Sequence, residues 1–224
     1  TMLNDNRIRV ITGHYGSGKT EFAVNYAVKL ARLGKKVALV DLDVVNLYFR
    51  SREKTKTLEE IGIRVISSSI KGSALDLPAI PGEVLSPLQD TTYECILDVG
   101  GDPAGTRVLA RYTNYFTEGK YDMFFVLNGN RPETQTVDKA IEYMIKIEEV
   151  TQVKITGIVN NTHLLKSTTF EDIISGNKLA LEVSKRTNTP LKYNVALEDL
   201  VSSIKDIKGE IFPISLYMRE EWML

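Results

Sequence analysis

Short apolar runs alternate along this chain with stretches whose apolar residues recur every three or four positions. The runs at residues 7–12, 36–40, 93–97, 123–127, 155–159 and 191–195 are mostly unbroken, with little polar alternation. Strands buried on both faces look like this, and a parallel sheet covered by helices buries them so. Residues 64–66 add a short strand, and 191–195 read as the last central one. A helix over 20–33 is stopped by Gly34, with Glu21, Asn25, Lys29 and Arg32 on its one polar stripe. Val108, Leu109, Tyr112, Tyr115 and Phe116 mark one face of a second helix. Val137, Ala140, Ile141, Met144 and Ile145 mark a third, and Phe170, Ile173, Ile174, Leu181 and Ser184 a fourth reaching Arg186. Residues 197–204 form a short helix. The stretch 73–88 holds Pro78, Pro81 and Pro87 and is predicted to be irregular, with a helical turn or two. The pattern predicts an α/β fold of three layers, a mostly parallel central sheet with helices on both faces.

The length of 224 residues suits one domain, expected over 2–224. A formal charge of −1 gives the whole molecule no pull on nucleic acid or anionic lipid. No apolar stretch has the length of a membrane span, and the N-terminus lacks a signal-peptide core. The single cysteine, Cys95, lies in an apolar run and reads as a buried thiol. One cysteine makes no intramolecular disulfide and fits a reducing cytoplasm.

Chemistry enters at Gly13-His14-Tyr15-Gly16-Ser17-Gly18-Lys19-Thr20, which matches G-x-x-x-x-G-K-[ST] between a predicted strand and a predicted helix. A loop that wraps a phosphate aims several backbone N–H groups inward, and its glycines permit the dihedrals. The helix beginning near Lys19 adds N-terminal N–H groups and a positive dipole end. Lys19 can reach β- and γ-phosphates, and the Thr20 hydroxyl can ligate Mg²⁺. The expected fold is therefore that of a P-loop NTPase.

Ligands of open α/β sheets lie beyond the carboxyl ends of the strands. Asp98 ends an apolar strand there and reads as a Walker B acid, holding Mg²⁺ through water. Asp41 and Asp43 end another strand. Two residues apart in extended chain, they point the same way, one able to assist the metal and the other the attacking water. Gly100 and Gly101 follow Asp98, and a glycine three residues after that acid can offer its N–H to a γ-phosphate. Residues 98–105 (DVGGDPAG) read as a switch loop.

Three stretches give the chain a family likeness: GHYGSGKT at 13–20, VDLDVVN at 40–46 and LDVGGDPAG at 97–105. In order and spacing, from about residue 7 to 159, it resembles the MinD/ParA group of P-loop ATPases. The resemblance implies that Asp43 is the switch I acid near the attacking water, Asp98 the Walker B acid and Gly101 the switch II glycine. It places Asn160 or Asn161 near the nucleotide base. It also implies an ATP-dependent homodimer and action on a partner protein. One departure stands out. The family carries a lysine directly after the first glycine of the loop, reaching the partner subunit's nucleotide, and this chain has His14. Arg50, Arg52, Arg107 or Arg111 could supply that charge. Cluster-holding relatives need more cysteines, and membrane-binding relatives end in a basic helix, which residues 216–224 do not form.

Guanine readers carry an Asn/Thr-Lys-x-Asp element after a strand. Neither Asn128-Gly129-Asn130 nor Asn160-Asn161-Thr162-His163 matches it, so ATP with Mg²⁺ is the expected ligand. The function expected is a nucleotide-driven ATPase switch, with Lys19, Asp43 and Asp98 catalytic. The alternative is a small-molecule kinase or ligase, its acceptor held near Asp43 and residues 67–88.

Overall fold

The computed structural model describes residues 1–43, 52–67, 82–163 and 166–217. Eight strands form one sheet: β1 (Ile8–Thr12), β2 (Val37–Asp41), β3 (Ile63–Ser67), β4 (Glu94–Asp98), β5 (Tyr121–Leu127), β6 (Gly157–Asn160), β7 (Leu191–Leu197) and β8 (Glu210–Ile214). Their order is β3-β2-β4-β1-β5-β6-β7-β8, and every neighbouring pair is parallel. The helices are α1 (Lys19–Arg32), α2 (Arg52–Glu60), α3 (Gly82–Gln89), α4 (Pro103–Arg107), α5 (Val137–Thr151), α6 (Phe170–Thr187) and α7 (Glu198–Val201).

Alternate residues of the central strands feed two separate cores. Ile11, Leu39, Ile96 and Phe124 point to the face covered by α1 and α2, where they meet Phe22, Tyr26, Val28 and Leu58. Val10, Val40, Leu97 and Phe125 point to the other face and pack on Val84 and Leu88 of α3, Ala140 and Met144 of α5, and Val183 of α6. Burial on both faces is why these strands lack polar alternation. Helix α1 carries one polar stripe yet is almost wholly buried. Its C-terminus is closed where Gly34, at φ +77, donates to Ala31 O and Lys35 donates to Leu30 O. A capping box of Thr169 and Asp172 starts α6.

Three elements depart from the sequence pattern. Leu109, Tyr112 and Tyr115 sit on a 3₁₀ helix (Val108–Tyr115), broken at Tyr112, rather than on an α-helix. Their spacing of three fits the three residues per turn of that helix as well as it fits an α-helical face. Residues 191–195 lie in the last central strand, as read, but an edge strand, β8, lies beyond it and was not read from the sequence. Pro213, inside β8, is tolerated at an edge and argues against a strand when read in sequence. The long apolar run at β1 also carries an exception: Arg9 is 1% exposed, ion-paired with Glu94 and hydrogen-bonded to Tyr26 Oη at 2.8 Å.

Beside the carboxyl ends of β6 and β7, three buried asparagines share one set of hydrogen bonds. Asn194 Oδ1 accepts from Asn160 Nδ2 and Asn177 Nδ2, each at 2.9 Å, while Asn194 Nδ2 donates to Lys208 O at 2.8 Å. A buried donor that loses its acceptor bears the full cost of desolvation. Asn194→Ala strips the shared acceptor from two buried amides, so urea unfolding should show a loss of about 2–4 kcal/mol. A loss below about 0.5 kcal/mol, the range of an ordinary surface change, would mean the network adds nothing.

Candidate functional site

The site lies at the carboxyl end of the sheet because three strands finish there in register. Asp98 is paired with both Ile11 of β1 and Asp41 of β2. The ladder runs one step further, with Val99 N donating to Ile11 O and Leu42 N to Asp98 O. The phosphate loop leaves β1 at Gly13 and enters α1 at Lys19. Gly16 and Gly18 both sit at φ +80, a conformation that side chains with a Cβ rarely adopt.

Lys19 Nζ is ion-paired with Asp43 and lies 3.9 Å from Asp98 Oδ1. Thr20 Oγ1 donates to Asp98 Oδ2 at 2.7 Å. Asp43 stands just past β2, and its N–H donates to Asp41 Oδ1 at 2.9 Å. The two acids are therefore linked head to backbone rather than side by side on an extended strand. Asp98 has no exposed surface, and its Oδ1 has no hydrogen-bond partner. Burial raises its affinity for a proton, against the pull of Lys19 and the Thr20 hydroxyl. Burial and the charge of Asp98 push Asp41 up to about 8. Burial alone would lower Lys19, but Asp98 and Asp43 outweigh it and hold the ammonium above its ordinary value.

The loop after β4 presses on the phosphate loop from the other side. A Cβ on Gly101 would run into Gly13 O, so only glycine allows this approach. Tyr143 Oη of α5 donates to Gly101 O at 3.0 Å. Asp102 caps α4 by accepting from Gly105 N at 2.8 Å.

His14 turns inward and is 2% exposed. Its Nδ1 faces Tyr15 O at 2.7 Å, and a carbonyl only accepts, so Nδ1 carries a proton. Its Nε2 lies 2.9 Å from Thr134 Oγ1. Its ring meets Tyr143 edge-on at 5.9 Å. Tyr15, next in sequence, is 80% exposed at the loop tip. Of the arginines suggested for the missing charge, Arg107 and Arg111 are exposed on α4 and the 3₁₀ helix. Arg50 lies outside the described residues, as do residues 68–81, most of the stretch suggested for an acceptor.

The two asparagines after β6 separate. Asn160 is turned into the asparagine network and is fully buried. Asn161 reaches the phosphate loop, with Nδ2 donating to Ser17 O at 2.8 Å. It lines an open groove of about 440 Å³ with Gly18, Glu21, His163, Val195 and Leu216. Sequence reasoning passed over the loop after β5, where Asn128 Nδ2 donates to Gly16 O at 3.2 Å. The signal was its position, since that loop leaves the same carboxyl edge as the other two.

Mg²⁺ takes oxygen ligands and keeps several waters. Thr20 Oγ1 and Asp98 Oδ1, which accepts no hydrogen bond, fit that donor set. Among the described residues no cluster of three or more His, Cys, Asp or Glu makes a metal cage, so the remaining ligands would come from phosphate and water. Cys95 is fully buried in β4, its thiol pushed up to about 12. Among the described residues no helix is long and apolar enough to cross a membrane.

Over residues 8–206 the chain matches the family described as the CobQ/CobB/MinD/ParA nucleotide binding domain. An 82-residue alignment is 37% identical to the iron–sulfur cluster carrier protein of Bacillus subtilis (strain 168), spanning 30% of this chain and 23% of that protein. Among solved structures, the cell division protein FtsY of Thermotoga maritima is similar, at 19% identity and a TM-score of 0.55, over 84% of this chain and 61% of that one. So is the chloroplast FtsY of Physcomitrella patens, at 16% identity and a TM-score of 0.57, over 86% and 59%. At such identities the likeness is one of fold, that of P-loop NTPases.

Burial holds the His14 imidazole below its ordinary 6.5, against the Tyr15 carbonyl and Glu133, which favour the proton. The unfolded chain then binds this proton more readily than the folded one. The resulting stability is present in full above the ordinary value of 6.5 and is lost as pH falls through the lower folded value. His14→Gln should therefore show a shallower loss of urea midpoint than the wild type as pH falls from neutral into the acid range. Parallel pH curves would overturn this assignment.

Proposed function

The chain belongs to the CobQ/CobB/MinD/ParA nucleotide-binding domain family, and we propose that it is a Mg²⁺-dependent ATPase that works as a nucleotide-driven switch. The observation that carries this is the convergence of Lys19, Thr20, Asp43 and Asp98 at the mouth of the phosphate loop, with Gly101 pressed against its first residue. The backbone N–H groups of His14, Tyr15, Gly16, Gly18, Lys19 and Thr20 cradle the phosphates at the start of α1, while Ser17 N–H closes the loop on His14 O. Lys19 exchanges Asp43 for the β- and γ-phosphates. Thr20 and Asp98 would hold Mg²⁺, Asp98 through water. Held there, the ion would supply charge neutralisation at the terminal phosphates. Asp43, once released by Lys19, orients the water for in-line attack at the γ-phosphorus. Gly101 N–H reaches the γ-phosphate, and its loss on hydrolysis frees the switch loop. Asn161 and the groove beside it take the base, adenine in this reading.

The name of the Bacillus subtilis relative speaks of an iron–sulfur cluster. That cargo does not carry over, since a thiol within a central strand is out of reach of a cluster. The output of the switch is a homodimer or a partner protein met by the triphosphate form.

Two variants separate binding from chemistry. Lys19→Ala should weaken a fluorescent ATP analogue by about 100-fold or more, because it removes charge-assisted contacts to two phosphates. Asp43→Asn should keep binding while lowering phosphate release by about 100-fold, the scale of a lost positioning group. Unchanged turnover in Asp43→Asn would remove that role. Sedimentation velocity with a non-hydrolysable fluorescent ATP analogue and Mg²⁺, run beside an ADP analogue, tests the switch. Dye moving as a dimer only with the triphosphate supports it. Dye moving as one species in both states favours a kinase or ligase that awaits an acceptor.

A further inference from the structure

The loop after β5 is fastened to the phosphate loop at both of its ends. Asn128 holds Gly16 O at one end. At the other, Thr134 Oγ1 lies 2.9 Å from His14 Nε2 and 2.8 Å from Asn128 O. Between them, Asn130 N donates to Asn128 Oδ1 at 3.0 Å and Arg131 N to Asn128 O at 3.2 Å. Pro132 then opens a 3₁₀ turn. This bracing delivers the Arg131 side chain to the apex of the phosphate loop. A Cβ on Gly16 would stand 2.8 Å from Arg131 Cζ and Nε and 2.9 Å from Nη2. The guanidinium thus rests on the Gly16 backbone. It has no hydrogen-bond or ion-pair partner among the described residues, in contrast to Lys19 with its two carboxylates.

We propose that Arg131 binds the terminal phosphates of the nucleotide held by its own chain, supplying the cation that position 14 lacks. The inference rests on the triphosphate reading above. Division of labour explains both residues. The His14 ring is buried and turned towards Thr134, away from any ligand, so it fastens the neighbouring loop instead. That loop carries a group that stays charged at any working pH and presents a planar fork of donors to phosphate oxygens. Gly16 is then constrained twice, by its φ and by the guanidinium lying where a Cβ would be.

The test uses the full chain, with equilibrium titration of non-hydrolysable ATP and ADP analogues and Mg²⁺. Arg131→Ala should weaken the ATP analogue about 10–100-fold, the worth of one or two hydrogen bonds to a charged group. The ADP analogue should change by less than about 3-fold, because the γ-phosphate contact is missing from it. Arg131→Lys should recover part of the loss as a point charge without the fork. Thermal midpoints should match the wild type, since among the described residues the guanidinium has no hydrogen-bond partner. If the wild type binds both analogues and Arg131→Ala binds them equally well, this inference alone is overturned. A wild type that binds neither overturns the triphosphate reading and this inference with it. Mixing Arg131→Ala with Lys19→Ala should restore no hydrolysis. Restored turnover would mean that the arginine serves a second copy and would overturn the assignment to its own chain.

Discussion

A carboxylate with no exposed surface sets the terms for this molecule. Asp98 ends the central strand β4 with both faces of the sheet closed around it. Burying such a group without a cation or proton is too costly to sustain. The fold answers by bringing the first turn of α1 down onto it, so that Lys19 and Thr20 face Asp98 directly. One ammonium faces three acids in a small volume, and burial, together with the charge of Asp98, raises the proton affinity of Asp41. The geometry of the phosphate loop and the protonation of its neighbours are therefore one problem, solved by the parallel register of β1, β2 and β4.

Three loops leave the same edge of the sheet and are tied together through backbone atoms. The loop after β4 touches the phosphate loop at Gly13, the loop after β5 at Gly16, and the loop after β6 at Ser17. Tyr143 adds a tie from α5, bonded to Gly101 O and packed on His14. These contacts form one contiguous set from Gly101 through Tyr143 to the His14 ring.

Much of this was legible in the chain itself, for reasons of range. The phosphate loop is local, its spacing is dictated by backbone geometry, and its strand and helix context lies within a few residues. The convergence of Asp98 and Asp43 on Lys19 was legible because both acids stand at or just past the carboxyl end of an apolar strand. Asn160 and Asn161 were not separable, since which one faces inward depends on Asn194, met only 34 residues later. Arg131 was hidden for the same reason. Nothing in its own segment marks it, and its place against Gly16 appears only when β5 is set beside β1. The edge strand β8 was masked by Pro213, and the 3₁₀ helix by a spacing common to two helix types.

The pairing of Lys19 with Asp43 has a consequence for which anions the phosphate loop admits. An internal carboxylate already occupies the lysine, so any incoming anion must outcompete it. A lone phosphate or sulfate gains the loop amides but meets three acids clustered behind them. A polyphosphate chain with a divalent counter-ion would engage the loop and the lysine at once and so offset the exchange. On the proposed function, the pair would act as a threshold filter against small anions, set by a counter-ion that the protein carries for itself.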